Sequence, residues 1–284
     1  MSGSPSLSLD LVADVRQLFA YPFMVNALEA GTIVAVLAGV VGWYMVLRRQ
    51  TFAGHTLSVM AFPGAAGAAL AGIPTALGYY LACGAAALAI GRSRRGSRTE
   101  TAAIGIVQTV GLAAGYLFLS LNHAVLSGLE SLLFGDILGV SSGQVAALLV
   151  VAAVVLVMLA IAARPLLFAT IDRDVAQASG VPAGALDVAF LLILGLAVAA
   201  TSQVTGALLV FALLVAPAAT AQTLTTRPLV SLALSIVFAL LVAWLGLGIA
   251  YFSIYPVGFY ITSVAFGLYL LARIGRYLVA RRRG

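Results

Sequence analysis

The sequence contains no lysine, and all fifteen of its basic residues are arginines. The glycine-rich loop that cradles nucleotide phosphates ends in lysine, so the chain has no loop of that kind. The single cysteine, Cys83, excludes an internal disulfide. Its place in an apolar run, beside small residues, favours a packing role. Since no soluble stretch is long enough to bind a nucleotide either, we expect the chain itself to hydrolyse no nucleotide and to catalyse no reaction.

Charge of either sign is also scarce. Charged residues make up 8% of the 284 residues, whereas hydrophobic residues make up 63% and the mean hydropathy is +1.13. A chain this apolar holds more apolar surface than a soluble core encloses, and several windows reach the roughly 20 apolar residues that a membrane span requires. No cleavable signal peptide is recognisable in residues 1–14. We therefore predict an all-α polytopic membrane protein whose first span acts as the insertion signal.

The arginines predict the topology. Nine apolar segments alternate across the membrane if fourteen of the fifteen arginines lie on one side, with Arg16 alone on the other. Arginine-rich loops lie in the cytoplasm, so the net charge of +6 reflects topology and lipid headgroup contacts rather than nucleic-acid binding. We expect a multi-pass protein of the bacterial plasma (inner) membrane with a cytoplasmic C-terminus. The count is about nine segments, between eight and ten: 23–47, 52–72, 76–90, 101–121, 144–163, 186–200, 205–221, 229–250 and 257–272.

A polar island, residues 169–187, interrupts the apolar runs. Asp172 is a good N-cap for a short helix, and Asp174 lies in its first turn, where negative charge is favoured. Gly180 and the following proline end it, which predicts a helix of about two turns from Arg173 to Ser179. A helix this short is marginal in water by itself, so we expect it to be held against a soluble partner.

The second apolar segment carries His55, Thr56 and Ser58 among many glycines and alanines. Polar side chains at membrane depth usually face a bundle interior or a cavity. His55 is either a hydrogen-bond donor to a neighbouring helix or a metal ligand. One imidazole cannot hold a metal, but two copies of the chain would supply two. Asn26 and Glu29 share a helix face near the outer surface, where an ion pathway and simple interfacial polarity are both open readings.

Two other stretches are interpreted from their pattern. Residues 126–140 are amphipathic rather than spanning, and Glu130 with Asp136 predicts a solvated face or a docking site for an extracellular protein. Segments 186–200 and 205–221 are short, and we expect Thr201 to Gln203 to join them. Short segments of this kind tend to line the pathway of a transporter.

Several motifs together resemble the membrane subunits of zinc- and manganese-type ABC uptake transporters. The most specific is FATIDRDVAQASGVPAGALD, followed by VTGALLVFALLVAPAATAQTL. FMVNALEAGTIVAVLAGVVGWYMVLRR, ESLLFGDILGV and YPVGFYITSVAFG also match, and the resemblance covers residues 23–270 in the order and spacing of the family.

From the residue pattern we expect an amphipathic segment at 1–21, a transmembrane domain at 22–274 and a basic cytoplasmic tail at 275–284. The resemblance implies a homodimeric permease. Its partners would be a second copy, the lipid bilayer, a cytoplasmic ATP-binding subunit and an extracellular metal-binding lipoprotein or periplasmic binding protein, with no nucleic acid. Its cargo would be zinc, manganese or iron in transit, with no permanently bound cofactor. The coupling segment to the ATPase would comprise Asp172, Arg173, Asp174, Ala176 and Gly180.

The sequence departs from the family at one place. Where the family has Gly-Asp-Ala-Leu-Ser-His, with a metal-associated Asp and His, this chain has GHTLSV, so His55 replaces the Asp and Val59 replaces the His. A neutral imidazole suits zinc or another borderline metal better than a hard cation. The alternatives are a permease for a metal chelate or vitamin-like ligand, an ATP-independent secondary transporter, and a structural membrane protein.

Overall fold

The computed structural model describes residues 16–93, 100–121, 135–253 and 255–281, and every regular element in these ranges is helical. The all-α prediction is therefore confirmed, and each of the nine predicted segments corresponds to one α-helix, with shifted ends. A 3-10 turn, Ile137–Gly139, precedes α5. The α-helices are α1 Pro22–Leu47, α2 Thr51–Leu70, α3 Thr75–Ser93, α4 Glu100–Leu121, α5 Ser142–Ile171, α6 Arg173–Ala178, α7 Ala183–Thr205, α8 Ala207–Leu224, α9 Pro228–Tyr251 and α10 Val257–Arg281.

Six of the described helices are long and apolar enough to cross a membrane, namely α1, α4, α5, α7, α9 and α10. The apolar part of α8, Leu209–Leu224, is shorter. Helix α2 is not among the six because its glycine, proline and polar residues lower its mean hydropathy. Twelve of its twenty residues are nevertheless buried, so protein rather than lipid surrounds much of α2.

The predicted junction at Thr201 to Gln203 is wrong, because α7 continues through it to Thr205. The hydroxyl groups of Thr201 and Thr205 donate to carbonyl oxygens one turn earlier in the same helix, at 2.8 and 3.0 Å, so their polarity does not interrupt it. The break lies at Gly206, whose φ of 79° is readily adopted only by glycine. Helix α5 likewise continues past its predicted end at residue 163, through Pro165, to Ile171.

The chain forms two compact units. The first comprises Met1–Trp43, Asp136–Leu149 and Ala212–Gly284, in which α1 packs against α9. Ser235 donates to the carbonyl oxygen of Gly39 at 2.8 Å, and the indole of Trp43 donates to Ser231 at 3.0 Å. Small residues at the crossing allow the two helices to approach closely: Ala35, Ala239 and Ala243.

The second unit comprises Tyr44–Gly135 and Val150–Phe211. Helix α2 lies within it, packed against α3, α4 and α7. At the crossing of α2 and α3, a Cβ atom on Gly64 or on Gly78 would overlap the carbonyl oxygen of the other glycine. This unit also holds α6 and its supports, so the predicted coupling segment and the predicted pathway helix belong to one compact unit.

Candidate coupling segment and pathway helix

Helix α6 has the predicted capping. The backbone of Asp172 is extended, and its carboxylate accepts a hydrogen bond from the Val175 amide at 3.0 Å. Asp174 lies in the first turn, and Gly180 at φ 84° turns the chain away after the helix. The predicted short helix is confirmed, with its last helical residue at Ala178 and Ser179 as C-cap.

The two faces of α6 differ in exposure. Ala176 is fully buried, whereas Asp174 is exposed and the Val175 side chain is 49% exposed. Ile171, the residue just before the cap, is 84% exposed. Ala176 therefore seats the helix on its own chain. The surface available to another protein includes Ile171, Asp174 and Val175, which we call the exposed face of α6.

Arg173 makes an ion pair within the second unit. Its guanidinium contacts Asp187 Oδ2 at 2.8 Å, although the side chain is 53% exposed. The Asp187 side chain, one turn into α7, is only 7% exposed. The first residue of α6 is thus bound to a buried carboxylate of α7.

The same carboxylate binds a second arginine. Arg48, directly after α1, contacts Asp187 Oδ1 at 2.5 Å, and its side chain is 5% exposed. Its other terminal nitrogen donates to the Leu166 carbonyl oxygen at 3.1 Å and to the Thr170 hydroxyl at 2.8 Å, both in the last turns of α5. The guanidinium also lies 5.3 Å from the ring centroid of Phe190.

These three charged residues form the Arg48–Asp187–Arg173 cluster. Arg48 and Asp187 are its buried pair, and removing one partner of a buried ion pair typically costs about 3–5 kcal/mol. The Arg173 side chain is half exposed, so its contribution is smaller. The sequence offered a weak signal for the cluster, namely an aspartate at the start of an apolar helix and an arginine at the end of another. Nothing in the sequence linked Arg48 to a residue 139 positions away.

His55 lies on the second turn of α2. Its ring packs edge-on against Phe211, with ring centroids 4.8 Å apart, and Nδ1 is buried without a hydrogen-bond partner among the described residues. The Thr56 hydroxyl donates to Gln108 Oε1 at 3.0 Å, and the Ser58 hydroxyl donates to the His55 carbonyl oxygen at 2.7 Å. Thr56 and Ser58 are therefore satisfied, while the imidazole keeps one nitrogen available.

Comparison with known proteins identifies the family. A model of the ABC 3 transport family matches residues 20–276. The chain belongs to the ABC 3 transport family. The resemblance found in the sequence is therefore confirmed, and the chain is a membrane permease subunit of a metal ABC transporter.

Relatives of this permease include the manganese transport system membrane protein MntC of Halalkalibacterium halodurans. It is 35% identical over 260 residues, which cover 90% of this chain and 88% of the relative. The chelated iron transport system membrane protein YfeC of Yersinia pestis is 34% identical over 212 residues, covering 74% and 72%. The solved structure of PsaBC from Streptococcus pneumoniae in complex with Fab is similar with a TM-score of 0.82 at 27% identity, covering 92% of this chain and 95% of that one.

Three of the remaining predicted site residues of the permease, Asn26, Glu29 and Asp136, belong to its first unit. Asn26 donates to the Val140 carbonyl oxygen at 3.1 Å, and Glu29 is exposed. Asp136 is exposed and caps the 3-10 turn by accepting from the Gly139 amide at 3.0 Å. Glu130 lies outside the described residues. Among those that are described, no three His, Cys, Asp or Glu side chains come together as a metal site.

Proposed function

We propose that this chain is the membrane-spanning permease of an ABC importer for divalent transition-metal ions, with zinc, manganese and iron as the candidate cargoes. The family match over residues 20–276 carries the proposal. The relatives support it, because one is named for manganese transport and another for chelated iron transport. The permease forms the translocation pathway, and the metal passes through as cargo.

The pathway is proposed to run along α2. His55 supports this, since its buried Nδ1 has no hydrogen-bond partner in the described part of the chain and an imidazole nitrogen is a good ligand for borderline metals. A homodimer would bring two such imidazoles to one pathway. Thr56 and Ser58 would line it as polar neighbours. Asn26 and Glu29 are proposed separately, as candidate pathway residues near the outer surface.

Two partner proteins complete the proposed importer. A separate cytoplasmic ATPase subunit docks on the exposed face of α6, where two large apolar side chains, Ile171 and Val175, are open. An extracellular lipoprotein or a periplasmic binding protein delivers the metal, and Glu130 and Asp136 are proposed as its docking residues. Both partnerships are typical of ABC importers.

We further propose that α2, α3 and α8 cross the membrane together with the six long apolar helices, which gives nine spans and a cytoplasmic C-terminus. Single cysteines at Ser97, which lies outside the described residues, and at Thr226 are expected to react with a membrane-impermeant maleimide only in inverted vesicles. A cysteine at Asn122, also outside the described residues, is expected to react only in intact cells or spheroplasts. Labelling of position 97 from the outer side would overturn this topology.

Uptake in cells tests the function. The chain, produced with its ATPase and binding protein in a strain lacking its own manganese and zinc importers, is expected to restore uptake of at least one radioactive metal among manganese, zinc and iron. The YfeC relationship favours chelated iron as a second candidate cargo. Uptake of iron only as a preformed chelate would support that candidate, and undiminished uptake without the ATPase would identify a secondary transporter instead.

A further inference from the structure

We propose that the Arg48–Asp187–Arg173 cluster is the mechanical link through which movement of α6 reaches α2 and His55. This inference rests on the proposed function, because it assumes that a partner ATPase moves α6. It assigns the two arginines and the aspartate as positioning residues, and none of them touches the metal. All the contacts that carry it lie within the second unit.

The link begins at α6. Arg173 is the first residue of the helix, and its guanidinium contacts Asp187 Oδ2 at 2.8 Å. A helix of six residues has little stability by itself, so α6 is held by this contact, by its cap and by the burial of Ala176. A force on the exposed face therefore displaces α6 as a body, and Arg173 transfers that displacement to Asp187.

The middle of the link is rigid. Asp187 has one oxygen for each arginine, and Arg48 is held in addition by α5, through the Leu166 carbonyl oxygen and the Thr170 hydroxyl. Arg48 also stacks over Phe190 on α7. With its side chain 5% exposed, Arg48 has few alternative positions, so it follows a displacement of Asp187 instead of adopting a new rotamer.

The link ends at α2. Only three residues, Arg48 to Gln50, separate α1 from α2, and Arg49 among them has a φ of 55°, which is uncommon for a residue other than glycine. The Gln50 amide donates to the Met45 carbonyl oxygen at 2.9 Å, and the Gln50 carbonyl oxygen accepts from Gly54 at 2.9 Å. This short turn is hydrogen-bonded on both sides, so it cannot absorb movement as a flexible loop would.

Helix α2 also lies close to the end of α1. A Cβ atom at Gly54 would overlap the sulfur of Met45, so glycine at this position permits the close approach. His55 is the next residue. His55 is thus only seven positions after Arg48. A movement of Arg48 is therefore passed to the first turns of α2, and this movement changes the position of the imidazole.

The test uses the full importer, in which the chain is reconstituted with its ATPase and binding protein in proteoliposomes. An environment-sensitive fluorophore is attached at Phe52→Cys in a Cys83→Ala background, since Phe52 lies in the first turn of α2 and is 43% exposed. Three quantities are measured per folded complex: the ATP-induced change in emission, metal uptake, and ATP hydrolysis. The variants are Arg173→Gln, Arg173→Lys and, as matched control, Arg164→Gln.

In the labelled parent, which carries only Phe52→Cys and Cys83→Ala, ATP is expected to change the emission at position 52. Arg173→Gln is expected to lose this response and to lower metal uptake per ATP hydrolysed by roughly fivefold or more, as expected for sites coupled at the low end of the usual range. Arg173→Lys keeps the charge but not the planar guanidinium. Its emission response and its uptake per ATP should therefore lie between those of the labelled parent and those of Arg173→Gln. Arg164→Gln removes the same charge from an exposed position of α5, and its emission response and uptake per ATP should match those of the labelled parent.

A full emission response and an unchanged uptake ratio in Arg173→Gln would overturn the link while leaving the proposed function intact. Equal losses in Arg173→Gln and Arg164→Gln would also overturn it, because they would reflect charge alone. If Arg173→Gln gives no folded complex, Arg173→Met takes its place in the experiment, because it keeps the unbranched apolar stem of the side chain. Loss of the emission response and of the uptake ratio would again support the link, and their retention would overturn it. Absence of ATP-driven uptake even in the labelled parent would instead contradict the proposed function, and the link with it.

Discussion

Replacement of His55 by glutamine is expected to reduce metal uptake by at least about tenfold, since even the residues that support a metal ligand typically contribute 10–100-fold to affinity. Glutamine keeps a hydrogen-bonding side chain but is a much poorer ligand than imidazole for a borderline metal. The structure provides the motive, because Nδ1 of His55 is buried and finds no hydrogen-bond partner in the described ranges. The measurement is the initial rate of radioactive zinc and manganese uptake.

Two variants serve as controls for His55. Thr56→Val removes the neighbouring hydroxyl group and its bond to Gln108, so it reports the effect of a lost polar contact in α2 without the loss of a ligand. Val59→His restores one of the two residues that the family pattern has here, and it is expected to maintain or broaden metal transport. Unchanged zinc uptake in His55→Gln, in protein shown to be expressed and dimeric, would remove His55 from the pathway.

Replacement of Asp174 by arginine is expected to uncouple ATP hydrolysis from uptake. The change places a bulky cation in the middle of the exposed face of α6 and reverses the charge in its first turn, where a negative charge is favoured. We expect uptake per ATP hydrolysed to fall by roughly fivefold or more, a usual coupling magnitude, while membrane insertion is unchanged. The measurement is that ratio in proteoliposomes.

Ala176→Arg is the informative comparison. Ala176 is fully buried, so arginine there is expected to unseat α6 and to lower the yield of folded protein. Thr226→Arg adds the same charge at an exposed loop position on the predicted cytoplasmic side and should leave the ratio unchanged. Full coupling in Asp174→Arg would exclude the exposed face of α6 as the docking surface.

Local signals in the sequence predicted the helices well. Long apolar runs located the helices, six of which are long and apolar enough to cross a membrane, because apolar length is a property of each segment by itself. The cap at Asp172 and the stop at Gly180 were equally visible, since capping depends on neighbours within one helical turn. Thr201 and Gln203 misled the prediction of the α7 boundary, because both side chains donate hydrogen bonds to carbonyl oxygens one turn earlier in their own helix.

Tertiary contacts could not be predicted in the same way. Arg173 was interpreted as a partner contact, yet its guanidinium binds Asp187, and the second arginine on that carboxylate comes from the end of α1. The burial of Ala176 is similarly invisible in a sequence, because a two-turn helix has too few residues to define an apolar face. The candidate site was therefore predicted as a segment, whereas the residues that hold it in place were identified only from the structure.

The most direct test of the central claim is metal accumulation in proteoliposomes that contain this chain, its ATPase subunit and a metal-loaded binding protein. We predict that radioactive manganese, zinc or iron accumulates inside the vesicles only when ATP is present on the side of the ATPase. Omission of this chain should abolish the accumulation. Accumulation at the same rate without ATP, or none for any of the three metals with an ATPase that is active in the same complex, would contradict the account.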